Sequence, residues 1–338
     1  MNIINAYCTL FDSNYADKGL VMIQSLRGYD KVSPIFVLCM DDLCFEILSS
    51  EKISNVEIIK LDDFVDDDLR KLQQIRGKGE FCWSCTGKLI KYVLINYGPR
   101  TCTYVDSDLL FYSDPIVLIN EMHTKNCSVQ VVPHRFPNTR RWRKVERISG
   151  KNCVQFNTFS DSQDSMELLD HWITQCINKC DKNSGGDQIY TSNWGDIKYV
   201  NVSQNEGAGL APWNVEKYKL SKNNNIILNK KTNKQVDLVF YHFQGLEYLD
   251  RYRIYIRLRK RISIFDQSLI DYLYIPYLIS LEKMKQMLKE KYGVVPIYSH
   301  SSGLFGDECN PRNLKAVISD LIEKRNVKKD TYDISDFI

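Results

Sequence analysis

Short runs of consecutive apolar residues, rich in β-branched and aromatic side chains, alternate along the first third of this chain with longer stretches whose apolar positions recur every three or four residues. The short runs predict buried strands over Ile3 to Leu10, Pro34 to Met40, Val56 to Leu61 and Thr101 to Val105. The longer stretches predict helices. Asp12-Ser13 opens one that carries Leu20, Ile23 and Leu26 and that Gly28 closes; Leu43 to Ser50 is a short one; Phe81 to Tyr97 is long and stops at Gly98-Pro99. Such alternation implies an α/β fold, with a mostly parallel sheet and helices on both faces. The middle third is less regular. It predicts strands over Val129 to Val132 and Cys153 to Phe159, and a helix over Ser165 to Cys180 with Trp172, Ile173 and Cys176 inward. Gly185-Gly186-Asp187-Gln188 opens a further helix, Gly207 to Asn214 is a loop, and Ile226 to Leu228 with Val236 to Tyr241 forms a hairpin. Residues 251–338 read as a helical C-terminal extension on a main domain of residues 1–250, with helices over Leu278 to Tyr292 and Leu314 to Lys324.

Composition narrows the classes. With 338 residues, 43% of them apolar, the chain can bury a sizeable core without staples. Its 45 basic and 42 acidic residues nearly cancel, so net charge makes no case for nucleic acid. Charge is uneven locally. Asp62, Asp63, Asp66, Asp67 and Asp68 read as a solvated acidic loop. Arg251 to Arg261 mixes basic, aromatic and aliphatic residues; this suits a solvated helix face, a phosphate-rich acceptor site or peripheral contact with an anionic membrane. The 11 cysteines follow no framework spacing, which fits a reducing cytoplasm. Cys82-Trp-Ser-Cys85 opens a helix without the context of a redox motif, and Cys176 and Cys180 lack the second pair a zinc site needs. The first residues have neither the basic start nor the apolar length of a signal peptide, and no stretch approaches a membrane span.

The chemistry gathers at Asp106 and Asp108. The apolar run Thr101 to Val105 ends abruptly in these two carboxylates, which places them at or just past the carboxyl end of a buried strand. Ligands of open α/β sheets bind in that crevice. Two converging carboxylates suit a hard divalent cation that itself holds phosphate oxygens. Four further features take on meaning beside them: Phe156-Asn157-Thr158, Gly186-Asp187-Gln188, Ala211-Pro212-Trp213-Asn214 and His242-Phe-Gln-Gly245.

In this order the motifs resemble those of GT-A glycosyltransferases, in particular the family-8 retaining transferases and a bacterial group of nucleotide-diphospho-sugar transferases linked to surface polysaccharide. The resemblance runs over about residues 1–250. It implies a nucleotide-binding half over 1–120, a sugar and acceptor half over 121–250, and a metal held by Asp106, Asp108 and His242. Imidazole with carboxylates suits Mn²⁺, with Mg²⁺ as the alternative. Thr9, Leu10 and Phe11 would border the nucleotide base. Asp106 and Ser107 would meet the donor, Lys88 its phosphates, and Asn157 and Trp213 its sugar. Asp187 and Gln188 would flank the anomeric carbon. The donor implied is a nucleoside-diphosphate-sugar, UDP-sugar first among them, and the acceptor a glycan or lipid-linked molecule in surface polysaccharide or lipopolysaccharide synthesis. The Lys-Pro-Trp that follows His-x-x-Gly in family 8 is absent, since Leu246-Glu247-Tyr248 stands there. Retention of configuration is favoured by the motif order; inversion would make Asp187 the general base. Two other classes compete. A sugar-nucleotide nucleotidyltransferase would carry a glycine-rich loop after the first strand, where Leu10 to Tyr15 holds no glycine. A non-catalytic carbohydrate-binding protein of the same fold would not need the acidic pair.

Overall fold

The computed structural model describes residues 4–221, 225–258, 261–262, 266–295, 297, 329–333 and 335. Strands β1 (Asn5–Phe11), β2 (Ile35–Cys39), β3 (Val56–Lys60) and β4 (Thr101–Val105) are parallel and lie in the order β3-β2-β1-β4. β1, β2 and β4 are buried along their whole length, as strands covered on both faces must be. Helices α1 (Ala16–Tyr29), α2 (Asp42–Glu51), α3 (Leu61–Phe64), α4 (Asp67–Ile75) and α5 (Lys78–Tyr97) connect them. The starts of α2 and α4 are capped by carboxylates: Asp41 accepts from Cys44 N at 2.8 Å and Asp66 from Leu69 N at 3.1 Å. Alternation along β1 sends Tyr7 to a core shared with α1 and α2, and Ala6 and Cys8 to a core shared with α4 and α5.

Next come β5 (Leu109–Phe111), α6 (Ile116–Thr124), β6 (Val129–Pro133), α7 (Arg140–Ser149), β7 (Asn152–Ser160), α8 (Gln163–Asn178) and β8 (Val200–Val202). They extend the sheet to β3-β2-β1-β4-β7-β6-β8. β7 is antiparallel to both β4 and β6, so β6 and β8 point the same way as β1 to β4. The expected α/β architecture is therefore found, with one reversed strand. The remaining strands are β9 (Tyr218–Leu220), β10 (Ile226–Asn229), β11 (Gln235–Asp237), β12 (Phe240–His242), β13 (Glu247–Tyr248), β14 (Arg253–Tyr255) and β15 (Thr331–Asp333), with helices α9 (Gln267–Leu269) and α10 (Ile275–Tyr292).

Local details depart from the sequence reading. α1 runs through Gly28 to Tyr29. The acidic stretch is not a loop, because it supplies α3 and the start of α4, which buries Leu69 and Leu72. The expected strand Val236 to Tyr241 breaks at Leu238-Val239 into β11, which pairs with β10, and β12, which pairs with β5. The residues after Gly185-Gly186 make a single 3₁₀ turn, Gln188–Thr191, rather than a long helix. The described part of the basic stretch is not a helix: it contributes β14, and Ile254, Tyr255, Ile256 and Leu258 are buried while Tyr252 stays exposed. Arg259, Lys260 and the expected helix Leu314 to Lys324 lie outside the described residues. Among the described residues no helix is long and apolar enough to cross a membrane.

Candidate active site

A cavity of about 1030 Å³ opens at the carboxyl ends of β1, β4 and β6. Asp106 follows β4 directly, and its N–H donates to the Gln155 carbonyl on β7 at 3.0 Å. Asp108 precedes β5. The antiparallel ribbon of β5 and β12 pairs His242 with Leu109, which brings a side chain far along the chain beside Asp108. Phe111 and Phe240 of the ribbon pack edge to face at 5.7 Å, and Phe156 of β7 stacks on Phe240 at 5.4 Å. Burying each such ring contributes about 2–3 kcal/mol, which fixes the ribbon on the sheet.

The three side chains predicted as ligands converge. His242 Nε2 lies 3.0 Å from Asp108 Oδ1 and 3.8 Å from Asp106 Oδ2. One donor atom from each of the three falls within 4.8 Å of the others. His242 Nδ1 lies 2.6 Å from Gln155 Oε1, an atom that only accepts, so Nδ1 carries the proton and donates. In the neutral ring Nε2 then presents a lone pair to two carboxylates. Three acceptors facing one another need a cation or a proton between them, and the donor set fits a divalent ion of the Mn²⁺ type. Without the ion, the imidazole holds the proton. Burial alone would lower its pKa, but Asp108, its hydrogen bond and Asp106 hold it well above the ordinary value. Burial would likewise raise Asp108, but the His242 charge holds it low. Asp106 is pushed up to about 6 by burial and by Asp108.

Asp187 and Gln188 line the same cavity. Trp172, fully buried against Phe159 and Trp194, donates from Nε1 to the Asp187 carbonyl at 3.0 Å and anchors this turn. Gly185 makes the turn possible. Its φ is +85°, and a Cβ there would stand 2.0 Å from the Ile148 carbonyl oxygen of α7. Burial, with the nearby charge of Asp106, pushes the Asp187 carboxyl up to about 7. Trp213 lines the cavity; its ring stands perpendicular to that of His242 at 5.5 Å between centroids, and its Nε1 donates to the His134 carbonyl at 2.9 Å. Leu10, Phe11 and Ser107 also line the cavity.

Three predicted donor contacts do not reach it. Thr9 is wholly buried within β1, one residue short of the opening. Asn157 is wholly buried on β7 opposite Tyr104, with the Cys153 and Phe156 carbonyls as partners for its amide nitrogen. Lys88 forms an ion pair with Asp66 away from the cavity. The sequence reading in turn passed over His134, Phe136, Trp142 and Gln155. His134 and Phe136 follow β6 as Asp106 follows β4, so the end-of-strand rule that flagged Asp106 would have flagged them. His134 stacks on Phe136 at 4.5 Å, Phe136 stacks on Trp142 at 5.3 Å, and burial pushes the imidazole down to about 4, leaving it neutral. Arg257 and Arg261 line the cavity too. Arg257 is paired with Glu247, its buried Nε has no hydrogen-bond partner, and Arg261 faces no carboxylate at ion-pair distance among the described residues. Gly245, at φ +88°, leaves them room, since a Cβ there would lie 3.3 Å from Arg261 Nη2.

No family model matches the chain. It is similar to two uncharacterised proteins of Bacillus subtilis (strain 168). Identity to YfnD is 26% over 285 residues, covering 82% of this chain and 88% of YfnD. Identity to YfnF is 28% over 255 residues, covering 71% and 81%. Among solved structures, the apo form of mouse xyloside xylosyltransferase 1 is similar with a TM-score of 0.46 at 10% identity, covering 72% of this chain and 98% of that one. The galactosyltransferase LgtC, in complex with donor and acceptor sugar analogues, is similar with a TM-score of 0.44 at 13% identity, covering 80% of this chain and 100% of that one.

Proposed function

We propose that this chain is a metal-dependent glycosyltransferase that moves a sugar from a nucleoside-diphosphate-sugar, UDP-sugar first, to a glycan or lipid-linked acceptor in surface polysaccharide synthesis. The observation that carries the reading is the meeting of Asp106, Asp108 and His242 on the wall of one large cavity, with Gln155 fixing the imidazole so that Nε2 faces the carboxylates. A Mn²⁺ or Mg²⁺ ion held by these three residues supplies Lewis-acid stabilisation of the negative charge that grows on the departing diphosphate. Arg257 and Arg261 stand in the same cavity and donate to phosphate oxygens, a task for which the guanidinium fork is suited. They take the place of the lysine missing after Gly245. Leu10 and Phe11 border the base. Asp187 and Gln188 face the anomeric carbon, where an ionised Asp187 stabilises positive charge on the sugar. Trp213, Phe136 and Trp142 wall the acceptor side and exclude water.

In the retaining reaction the acceptor hydroxyl attacks from the face the diphosphate leaves, and a departing phosphate oxygen takes the proton. A second reading, inversion, is favoured by one observation: a carboxyl at about 7 is well poised to accept a proton from the acceptor at neutral pH. Proton NMR of the first product anomer separates the two. The ten described cysteines are all free, which supports a reducing compartment, and we place the enzyme in the cytoplasm. A thermal-shift screen of UDP-, GDP-, dTDP- and CMP-sugars with Mn²⁺ tests the activity class. One donor should raise Tm in the wild type and leave Asp108→Ala unmoved; equal shifts in both would overturn the reading.

A further inference from the structure

We propose that the acceptor is an acidic glycan and that the outer ridge of α7 binds it, an inference that deepens the glycosyltransferase reading and rests on it. α7 carries Arg140, Arg141, Arg143, Lys144 and Arg147 against one carboxylate, Glu146. Two faces divide its side chains. Arg141, Trp142, Val145, Ile148 and Ser149 line the cavity. Arg140, Arg143, Lys144 and Arg147 project elsewhere and are all exposed. Their spacing makes them neighbours on one helix surface, where like charges repel and each close pair costs a few tenths of a kcal/mol. Arg143 donates to Asn138 Oδ1 at 3.2 Å, while Arg140, Lys144 and Arg147 face no carboxylate at ion-pair distance among the described residues. Folding gains nothing from such a ridge; a ligand of opposite charge does. From Arg140 to Arg147 the helix rises about 10 Å, the reach of a short run of sugar units.

The ridge borders the cavity wall, so a polymer lying on it presents its end to Asp187 and Gln188. The alternative of an anionic bilayer fits less well. An amphipathic helix that docks on lipid turns its apolar residues to the bilayer together with its cations. Here Trp142 and Val145 lie along the cavity wall with Ile148 at its exposed rim, and the cationic ridge carries no apolar residue.

The test uses the full chain and fluorescently labelled hyaluronate, polygalacturonate and neutral dextran, with anisotropy as the readout. Wild type should bind at least one acidic polymer and not dextran. The variant R140Q/R143Q/K144Q/R147Q should bind it about tenfold or more weakly, and R140Q/K144Q should fall between. The Tm shift with UDP and Mn²⁺ should be the same in all three proteins. Undiminished binding by the fourfold variant, or equal binding of dextran, overturns the proposal. So does preference for anionic phospholipid vesicles over both acidic polymers. If acidic polymers bind through α7 but no nucleotide shifts Tm, the transferase reading fails while the anion-binding ridge stands; a nucleotide response without polymer binding sinks the ridge alone.

Discussion

The part of the site that chemistry can test most finely is a single proton on His242. Gln155 Oε1 accepts from Nδ1, which leaves Nε2 facing Asp106 and Asp108. Replacing Gln155 by Leu removes the acceptor that fixes this tautomer. Metal ligands stripped of such support lose about 10- to 100-fold in affinity, so the Gln155→Leu variant should bind Mn²⁺ that much more weakly while nucleotide alone is unaffected. Unchanged Mn²⁺ affinity would detach Gln155 from the site. Asp187 makes a prediction about pH. Its carboxyl is moved by burial from 3.8 to about 7. Between those values the folded chain keeps a proton that the unfolded chain has released, so this group lowers stability as pH rises through that window. Asp187→Asn removes the loss. In EDTA, Tm of the variant minus Tm of wild type should grow from about pH 5 to about pH 8; a flat difference would mean the carboxyl is not in a water-poor setting. Asp187 was legible as a candidate base from its Gly-Asp-Gln motif, whereas the Gln155 bond was not. Asp106 and Asp108 announced themselves because two acids ended an apolar run, whereas Gln155 sits inside one and Asn157, its neighbour on the same strand, took the attention.

At the scale of elements, local rhythm was readable and long-range pairing was not. β1, β2, β4 and β7 were read close to their true limits because both faces are covered and the apolar runs are continuous. The β5 and β12 ribbon joins residues more than a hundred positions apart, which no local pattern reveals, and the turn chemistry of Asn229 to Lys234 drew the reading toward a longer hairpin. Five acids between 62 and 68 hid the helical spacing of Leu69 and Leu72. Of the three readings of the basic stretch, the helix face fails for the opposite reason. Ile254, Ile256 and Leu258 alternate with polar positions, the period of an extended chain, but the arginines suggested a helix face. Lys88 is bound to Asp66, which also caps α4, while Arg261 looks into the cavity without a carboxylate partner among the described residues. Lys88→Met should cost at most about 1 kcal/mol of stability and leave UDP affinity as it was. Arg261→Met should weaken UDP, in the presence of Mn²⁺, about tenfold or more. Calorimetric titration of both variants checks the pair; the reverse order would restore Lys88 to the phosphate site.

Among the described residues, two large cores lie on opposite faces of one sheet. Several described residues after 250 belong to one of them. Leu273, Tyr274, Tyr277, Leu278 and Leu281 are buried with Leu20, Ile23 and Tyr241. The Phe243 ring stacks on Tyr277 at 3.7 Å, one residue beyond His242, and Tyr248 donates to the buried Asp17 of α1. A chain cut after residue 250 should therefore expose the His242 strand and fail to unfold cooperatively, by circular dichroism melting, while the full chain does so; a cooperative transition in the fragment would make the C-terminal segment dispensable. The proposed chemistry requires an ion held jointly at β4, β5 and β12, and electron paramagnetic resonance of Mn²⁺ addresses it most directly. Titrating Mn²⁺ into the protein with UDP should extinguish the free-ion signal up to one ion per chain, and Asp108→Ala or His242→Ala should leave that signal standing. If either variant sequesters Mn²⁺ as the wild type does, the metal is elsewhere and the proposed chemistry is wrong.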